Sequence, residues 1–530
     1  MNGRVIAILS GLTWGKWWRR NGILLALGLF GAGTVLGQSV QQTSPHYTVA
    51  DDLHLNAVPR SAAEGDRIAV VTADTTDFDT AEPYESLPAG ASTVAAQTGA
   101  NAFGQPSANL GYDRGMDFAL GQALFDKVWV AAPSSTLASD GLGPLYNARS
   151  CAGCHLRAGR GHPPQADDTT AVSLVLRVFV PADPLIAGQA RDWLAHLPDP
   201  VYGTQLQEFA TGGLPAEMRL DLTYSDQTVG LADGQTVALR QPAYDLRLGY
   251  GPLAAGAQLS ARIAPQLIGL GLLDAIPAAD ILALADPDDQ DADGISGRPN
   301  VVWSHAYGSP LLGRFGHKAG MPTLRDQIAA AFSADIGIST PVLPDPVGDC
   351  TLAQTACQLA PTGDGDLRGT EIDGAAFDLV AFYSGNLAVP ARRGADDAEV
   401  LLGKQVFYDV GCPACHQPKF VTARLTDPPE QSFQLIWPYS DLLLHDMGPG
   451  LADQAGEGLA TGAEWRTAPL WGIGLTAQVS GSASFLHDGR ARTLLEAILW
   501  HGGEAQAQRD AVTRLTTTDR AALITYLESL

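Results

Sequence analysis

Basic side chains are in short supply in this chain: 33 Lys and Arg stand against 57 Asp and Glu, a net charge of −24. A surface of that sign repels phosphate backbones and anionic headgroups, which excludes nucleic acid and acidic membrane surfaces as partners. It suits a basic partner instead. Long apolar runs are also missing. Residues 23–36 are apolar but too short for a comfortable transmembrane helix. Behind the positive flank Lys16-Trp17-Trp18-Arg19-Arg20, residues 1–37 read as a signal peptide, with a retained N-terminal anchor that tethers the chain to the membrane as the alternative. Either reading places the rest of the chain in the periplasm. At 530 residues and 45% hydrophobic content, that remainder is globular and large enough to enclose cofactors.

Cysteine is scarce too, and its placement carries the argument. Of six cysteines, four fall in Cys151-Ala152-Gly153-Cys154-His155 and Cys412-Pro413-Ala414-Cys415-His416. C-x-x-C-H is the attachment sequence of c-type haem: the two thiols form thioethers to the porphyrin and the His ligates the iron. Sulfurs three residues apart on a helical turn share one face. A zinc site or a thioredoxin-like pair accounts for one such pentapeptide but poorly for two behind an export-type N-terminus. The reading is two covalently bound haems, with Cys151, Cys154, Cys412 and Cys415 as attachment points and His155 and His416 as proximal iron ligands. Cys350 and Cys357 close a short loop rich in Pro, Gly, Thr and Asp. A structural disulfide is the plain reading there and a redox-active dithiol the sharper one.

Residues 38–108 are rich in Ala, Asp, Thr, Ser and Pro and read as a low-complexity N-terminal extension. Beyond them an internal repeat emerges. Leu120-Gly121 followed by Phe125, and Leu402-Gly403 followed by Phe407, each precede a haem motif. Each half also ends in a helical stretch, 375–383 and the segment from Asp519 to the C-terminus. The predicted architecture is mainly α: two cytochrome c-like domains in tandem, 109–390 and 391–530, the first carrying an inserted mixed subdomain at about 163–370. Within the insertion, residues 173–180 read as a strand, 236–240 with 244–248 as a short hairpin, and 263–276 as a helix. Asp289-Gln290-Asp291-Ala292-Asp293-Gly294 begins like an oxygen-ligated Ca²⁺ loop, with Asp289, Asp291 and Asp293 as candidate ligands. The Glu expected at its twelfth position is absent; Asn300 stands there. A solvated acidic turn is the alternative.

The paired L-G-x-x-x-F and C-x-x-C-H arrangement resembles the bacterial di-haem cytochrome c peroxidase and MauG superfamily. So does the run Trp465-Arg466-Thr467-Ala468-Pro469-Leu470, with Phe485-Leu486-His487-Asp488-Gly489-Arg490 and Thr493-Leu494-Leu495-Glu496. Gly141-Leu142-Gly143-Pro144-Leu145-Tyr146-Asn147, Asp293-Gly294-Ile295-Ser296-Gly297-Arg298-Pro299-Asn300 and Leu443-Leu444-His445-Asp446-Met447-Gly448 resemble more narrowly a di-haem oxidoreductase branch that carries peroxidase and thiol oxidoreductase labels. The resemblance implies divided labour: one haem six-coordinate and storing an electron, the other open to a peroxide. It also implies a small redox protein, a cytochrome or cupredoxin, as electron donor.

Where the peroxidases place an axial Met, Glu464 stands here. Methionine is rare, with four beyond the initiator, and Met447 is the first candidate for the sixth ligand of the second haem; His445 is the second. His317 and His162 are candidate distal groups for the first haem, and His487, with Arg490 beside it, a candidate partner for a haem propionate. Catalytic candidates are therefore His317, His445 and His487. Trp129 and Trp303 stand either between the haems as electron relays or in plain core. The expected function is peroxide reduction at one haem with electrons delivered through the other; the alternative is a non-catalytic di-haem electron carrier. Thiol oxidation is a third reading and rests on Cys350 and Cys357.

Overall fold

The computed structural model describes residues 52–136, 138–165, 172–181, 196–363 and 369–530. The leader or anchor expected at 1–37 lies outside them. Among the described residues no helix is long and apolar enough to cross a membrane. In chain order the elements that position the site are α1 (Gly115–Asp126), β1 (Leu174–Pro181), β2 (Met218–Gly230), β3 (Thr236–Leu248), β4 (Gln258–Ile263), α2 (Leu324–Ala331), α3 (Gly374–Gly385), α4 (Ala398–Asp409), α5 (Leu494–Trp500) and α6 (Thr517–Ser529).

Two helix pairs repeat one another. In α1 the buried residues are Phe118, Gly121 and Phe125, which face Phe377, Val380 and Tyr383 of α3. The glycine is required: a Cβ on Gly121 would stand 2.2 Å from the Leu379 carbonyl oxygen and 2.7 Å from the Tyr383 Cβ. On α4, a Cβ on Gly403 would stand 2.0 Å from the Ala522 carbonyl oxygen and 2.7 Å from the Tyr526 Cβ of α6. Side chains of any size would push these backbones apart, so the L-G-x-x-x-F pattern encodes a close helix crossing. Phe125 meets Tyr383 at 5.2 Å between ring centroids, and Phe407 meets Tyr526 at 5.3 Å. Asp373 and Thr516 cap α3 and α6 by accepting from backbone N–H groups of the first turn.

The expectation of a mainly α chain is corrected. Helix accounts for 29% of the described residues and strand for 19%, spread over many small sheets. Half of the described strands have only two residues, such as Ala57–Val58 with Arg424–Leu425 and Leu145–Tyr146 with Phe209–Ala210, too short to leave an alternating pattern. The larger pieces lie in the insertion. β1 is the centre of a four-stranded sheet and pairs antiparallel with β4, from Leu174 opposite Ile263 to Phe179 opposite Gln258.

Residues 236–240 and 244–248 do not pair with each other; both belong to β3, which pairs along its whole length with β2. Pro242 interrupts the pattern between them but is tolerated opposite Tyr224 in a two-stranded ribbon, where its missing N–H can face outward. Of residues 263–276, only Leu270–Asp274 is helical.

The cores do not respect chain order. The larger contains Phe118, Phe125, Phe377 and Tyr383 with Phe420, Ile436, Trp471 and Val479. The second contains Phe407, Tyr526, Trp465 and Trp500 with Leu231 and Leu239 from the hairpin tip. The ribbon is tied to the second motif region: Arg240 donates to the carbonyls of Gly489 and Arg490, and Tyr244 donates to Asp488 at 2.9 Å.

Candidate functional site

The first C-x-x-C-H segment is fixed locally before it meets anything else. Ser150 caps the turn Cys151–Cys154 by accepting from the Gly153 N–H at 3.2 Å. The next residue, His155, turns its Nδ1 to the Pro265 carbonyl at 2.7 Å. His416 turns its Nδ1 to the Tyr439 carbonyl at 2.9 Å. A carbonyl only accepts, so Nδ1 carries the proton in both rings and Nε2 keeps its lone pair for a metal. Burial pushes both imidazoles down to about 4, so both are neutral. Each ring also sits beside the repeat phenylalanine, Phe125 to His155 at 6.3 Å and Phe407 to His416 at 6.4 Å. Burial pushes the Cys151 and Cys412 thiols up to about 12. Neutral thiols do not suit an exchange dithiol.

Two cavities of comparable size, 1830 Å³ and 1520 Å³ with their open mouths included, adjoin the two motifs. Cys151, Cys154 and His155 line the first; Cys412, Cys415 and His416 line the second. Arg160, Gln266, His317, Arg466, Ala468 and Pro469 line both and so form a common wall. Paired unbonded thiols, an imidazole with a free Nε2 and an adjoining largely apolar cavity fit a covalently held haem at each motif.

Opposite the motifs lies a second internal repeat that the sequence reading passed over. Phe315 bridges Met321, and Phe485 bridges Ala491, each closing a loop that carries a histidine, His317 or His487. Each loop leads into a short helix, α2 or α5, capped by a threonine that accepts from the N3 residue: Thr323 from Asp326 and Thr493 from Glu496. The signal was present as F-x-H, then T-L, then an acid two residues later, at identical spacing in both halves.

The two loop histidines differ in what they touch. His317 places Nε2 on the Ile263 carbonyl at 2.9 Å, and burial pushes it down to about 3. His487 stacks on Trp465 at 3.6 Å and 10°, and burial likewise pushes it far down. The Ile263 N–H in turn donates to the His487 carbonyl at 2.7 Å. The end of β4 thus ties His155, through Pro265, to both loops.

The remaining sequence candidates sort clearly. Met447 lines the second cavity. His445 also lines it, but both its nitrogens are taken, Nε2 by Asp441 at 2.8 Å and Nδ1 by Glu504 at 2.7 Å. Burial opposes its charge, yet those carboxylates hold it well above the ordinary value, as an imidazolium. Glu504 further accepts from Ser296 and from the Asp446 N–H, which locks Asp293-to-Asn300 onto Leu443-to-Gly448 and explains why the two segments accompany each other.

Glu464 lines neither cavity; it accepts from the Thr461 N–H and pairs with Arg298 at 3.2 Å. His162 is buried and lines neither, its backbone bonded to Ser173, which does line the first. Arg490 pairs with Asp488 and lies over Trp500, also outside both. Neither Trp129 nor Trp303 lines a cavity; Trp471 and Trp465 do. Asp286, Asp289 and Asp291 bring carboxylates within 4.8 Å of one another, whereas Asp293 turns to the Ile295 N–H and Asn300 is buried on the carbonyls of Lys318 and Glu457. Cys350 and Cys357 form a disulfide. Met321, Gln266, Arg160, Arg466 and His501 are cavity residues that the motifs alone did not single out.

No curated protein sequence matches this chain. Among solved structures, hydrazine synthase from Kuenenia stuttgartiensis pressurised with 20 bar xenon is similar over 77% of this chain and 92% of that one, at 15% identity and a TM-score of 0.28, a likeness too loose to carry an argument. The profile of the family described as "Di-haem oxidoreductase, putative peroxidase" matches residues 85–530, that is, both C-x-x-C-H motifs, both histidine loops and the wall between them. The chain belongs to the di-haem oxidoreductase family.

Proposed function

We propose that the protein is an exported di-haem c oxidoreductase that reduces a peroxide-class oxidant at one haem with electrons delivered through the other. The observation that carries this reading is the common wall: two cavities, each with its own C-x-x-C-H segment, share six lining residues. Cys151, Cys154, Cys412 and Cys415 are the thioether attachment points, and His155 and His416 the proximal ligands. Haem iron supplies the electrons for cleavage of the O–O bond.

The residues divide the work. Met447, which lines the second cavity, would hold the second haem through its thioether, chemistry that raises a haem's potential and suits an electron-storing unit. In the first cavity His317 is neutral, with Nε2 donating to Ile263, which leaves Nδ1 as an acceptor. It holds the proton that must pass from one peroxide oxygen to the other. The His445 imidazolium, bonded to Asp441 and Glu504 beside Cys415 at 3.6 Å, is a positioning group for the second haem rather than a ligand. The chain's −24 charge favours a basic cytochrome or cupredoxin as donor. A Ca²⁺ ion at Asp289 and Asp291, with Asp286 in the place assigned to Asp293, is part of the same proposal.

A second reading, a carrier with both haems six-coordinate, is favoured by Met321, which lines the first cavity. Stopped-flow mixing of the half-reduced protein with H₂O₂ separates the two. Rapid reoxidation, slowed about 100-fold or more in His317→Gln, supports the proposal; haems that stay reduced for seconds support the carrier.

A further inference from the structure

Five arginines line the first cavity, and three of them already carry an ion pair. Arg177 and Arg262 pair with Glu457 at 2.8 and 2.6 Å, and Arg314 pairs with Asp52. The remaining two, Arg160 and Arg466, are the two that also line the second cavity. Neither forms an ion pair among the described residues. Each instead spends some of its donors on backbone carbonyls and does so across the boundary between the haem units. Arg160, five residues beyond the first motif histidine, donates from Nε to Ser484 at 3.1 Å and from Nη2 to Leu486 at 2.8 Å, in the second histidine loop. Arg466, from the second half, donates from Nε to Gly316 at 2.9 Å in the first histidine loop and from Nη1 to Thr467 at 2.9 Å.

The remaining nitrogen of each guanidinium, Nη1 of Arg160 and Nη2 of Arg466, has no protein partner among the described residues, nor is either a sealed orphan. Two desolvated cations in the wall of two largely apolar cavities are costly unless anions complete them. Guanidinium donors in this arrangement match carboxylates.

We infer that Arg160 and Arg466 form one shared seat for carboxylates, taking a haem propionate from each cavity, so that the two haems are held and electrostatically coupled through a single pair of cations. The inference rests on the di-haem reading and deepens it. It also relocates the propionate contact from His487 and Arg490, since Arg490 is taken by Asp488.

The seat makes a distinctive demand on redox behaviour. A cation beside a propionate opposes the ferric state, so its loss lowers the potential of whichever haem it serves. A shared seat lowers both. The experiment is a potentiometric titration of the purified holoprotein and of Arg466→Gln, Arg160→Gln and Arg466→Lys, with haem content per chain measured on each. In either Gln variant both haems are expected to shift downward together, about tenfold in ferric-to-ferrous ratio at fixed potential, or 59 mV for a one-electron couple. Arg466→Lys is expected to restore most of the shift, which a merely structural arginine would not do.

Potentials unchanged in both Gln variants, or a shift confined to one haem, overturn the shared seat while leaving a two-haem protein intact. A haem content other than two c-type haems per chain overturns the underlying reading instead. If Arg466→Gln does not fold, Arg160→Gln decides alone. The source of the carboxylate is checked on the wild type by adding acetate. Potentials insensitive to acetate support a covalently tethered propionate, and potentials that follow it mean a free anion occupies the seat and overturn the inference.

Discussion

The two halves of the site agree on one side and part on the other. On the C-x-x-C-H side they match contact for contact: Gly121 under Leu379 and Gly403 under Ala522, Phe125 beside His155 and Phe407 beside His416, and an Nδ1 proton given to a backbone carbonyl in each. On the distal side the same loop was kept but its contacts changed. His317 is tethered to Ile263 and stands near Met321; the equivalent His487 stacks on Trp465, and Ala491 takes the place of Met321. Met447 and the His445 imidazolium occur only in the second cavity. On the proposed reading, haem attachment would constrain the C-x-x-C-H side alike in both halves, whereas iron reactivity is set at the sixth position, the side on which the halves differ.

The proximal equivalence breaks most severely at the glycines. Gly121→Val and Gly403→Val each drive side-chain carbons into a helix carbonyl, so each is expected to lose about 3 kcal/mol or more of stability, read by thermal or urea melts. If one is tolerated and the other is not, the two crossings are not equivalent.

The next effect is confined to the first cavity. Burial disfavours charge on Glu457, but Arg262 and Arg177 hold its carboxyl down at about 2. A folded value below the ordinary 4.5 stabilises the fold fully above pH 4.5 and is lost as pH falls toward 2. At 1.36 kcal/mol per unit, Glu457→Gln is expected to cost about 3 kcal/mol above pH 4.5 and to flatten that acid limb. Urea melts across pH 2–6, with the second-haem spectrum unmoved, check it.

Much of this was legible in the sequence, for physical reasons. Haem attachment needs its five residues contiguous, and a helix crossing at carbonyl range needs glycine, so both left local patterns. The histidine loops were legible but hidden by the unequal lengths of chain before them, because an insertion separates His155 from Phe315. Of the strands, 173–180 was legible in its apolar, β-branched run and is strand from Leu174 to Pro181; most others were not, since two-residue pairs carry no period, and residues 236–248, though strand, pair with β2 rather than with each other. The common wall was not legible either. Arg160 reaches Leu486, Arg466 reaches Gly316 and Gln266 reaches Trp471, contacts that exist only once the insertion has folded back between the halves.

The smallest predicted effect tests a region outside the comparison. Replacing both Cys350 and Cys357 by Ser opens a loop with a sequence separation of 7 and is expected to cost about 2 kcal/mol with peroxide turnover unchanged. Lost turnover in a folded variant would restore the thiol reading.

Low-temperature EPR tests the divergence of the two sixth positions most directly, on the oxidised and the half-reduced protein, with peroxide added last and Met447→Ala alongside. The account predicts one low-spin haem that turns high-spin in Met447→Ala. It also predicts, in the half-reduced wild type, one high-spin ferric haem whose signal disappears on addition of peroxide. Two low-spin signals in both states, unmoved by peroxide and by the loss of Met447, would contradict it.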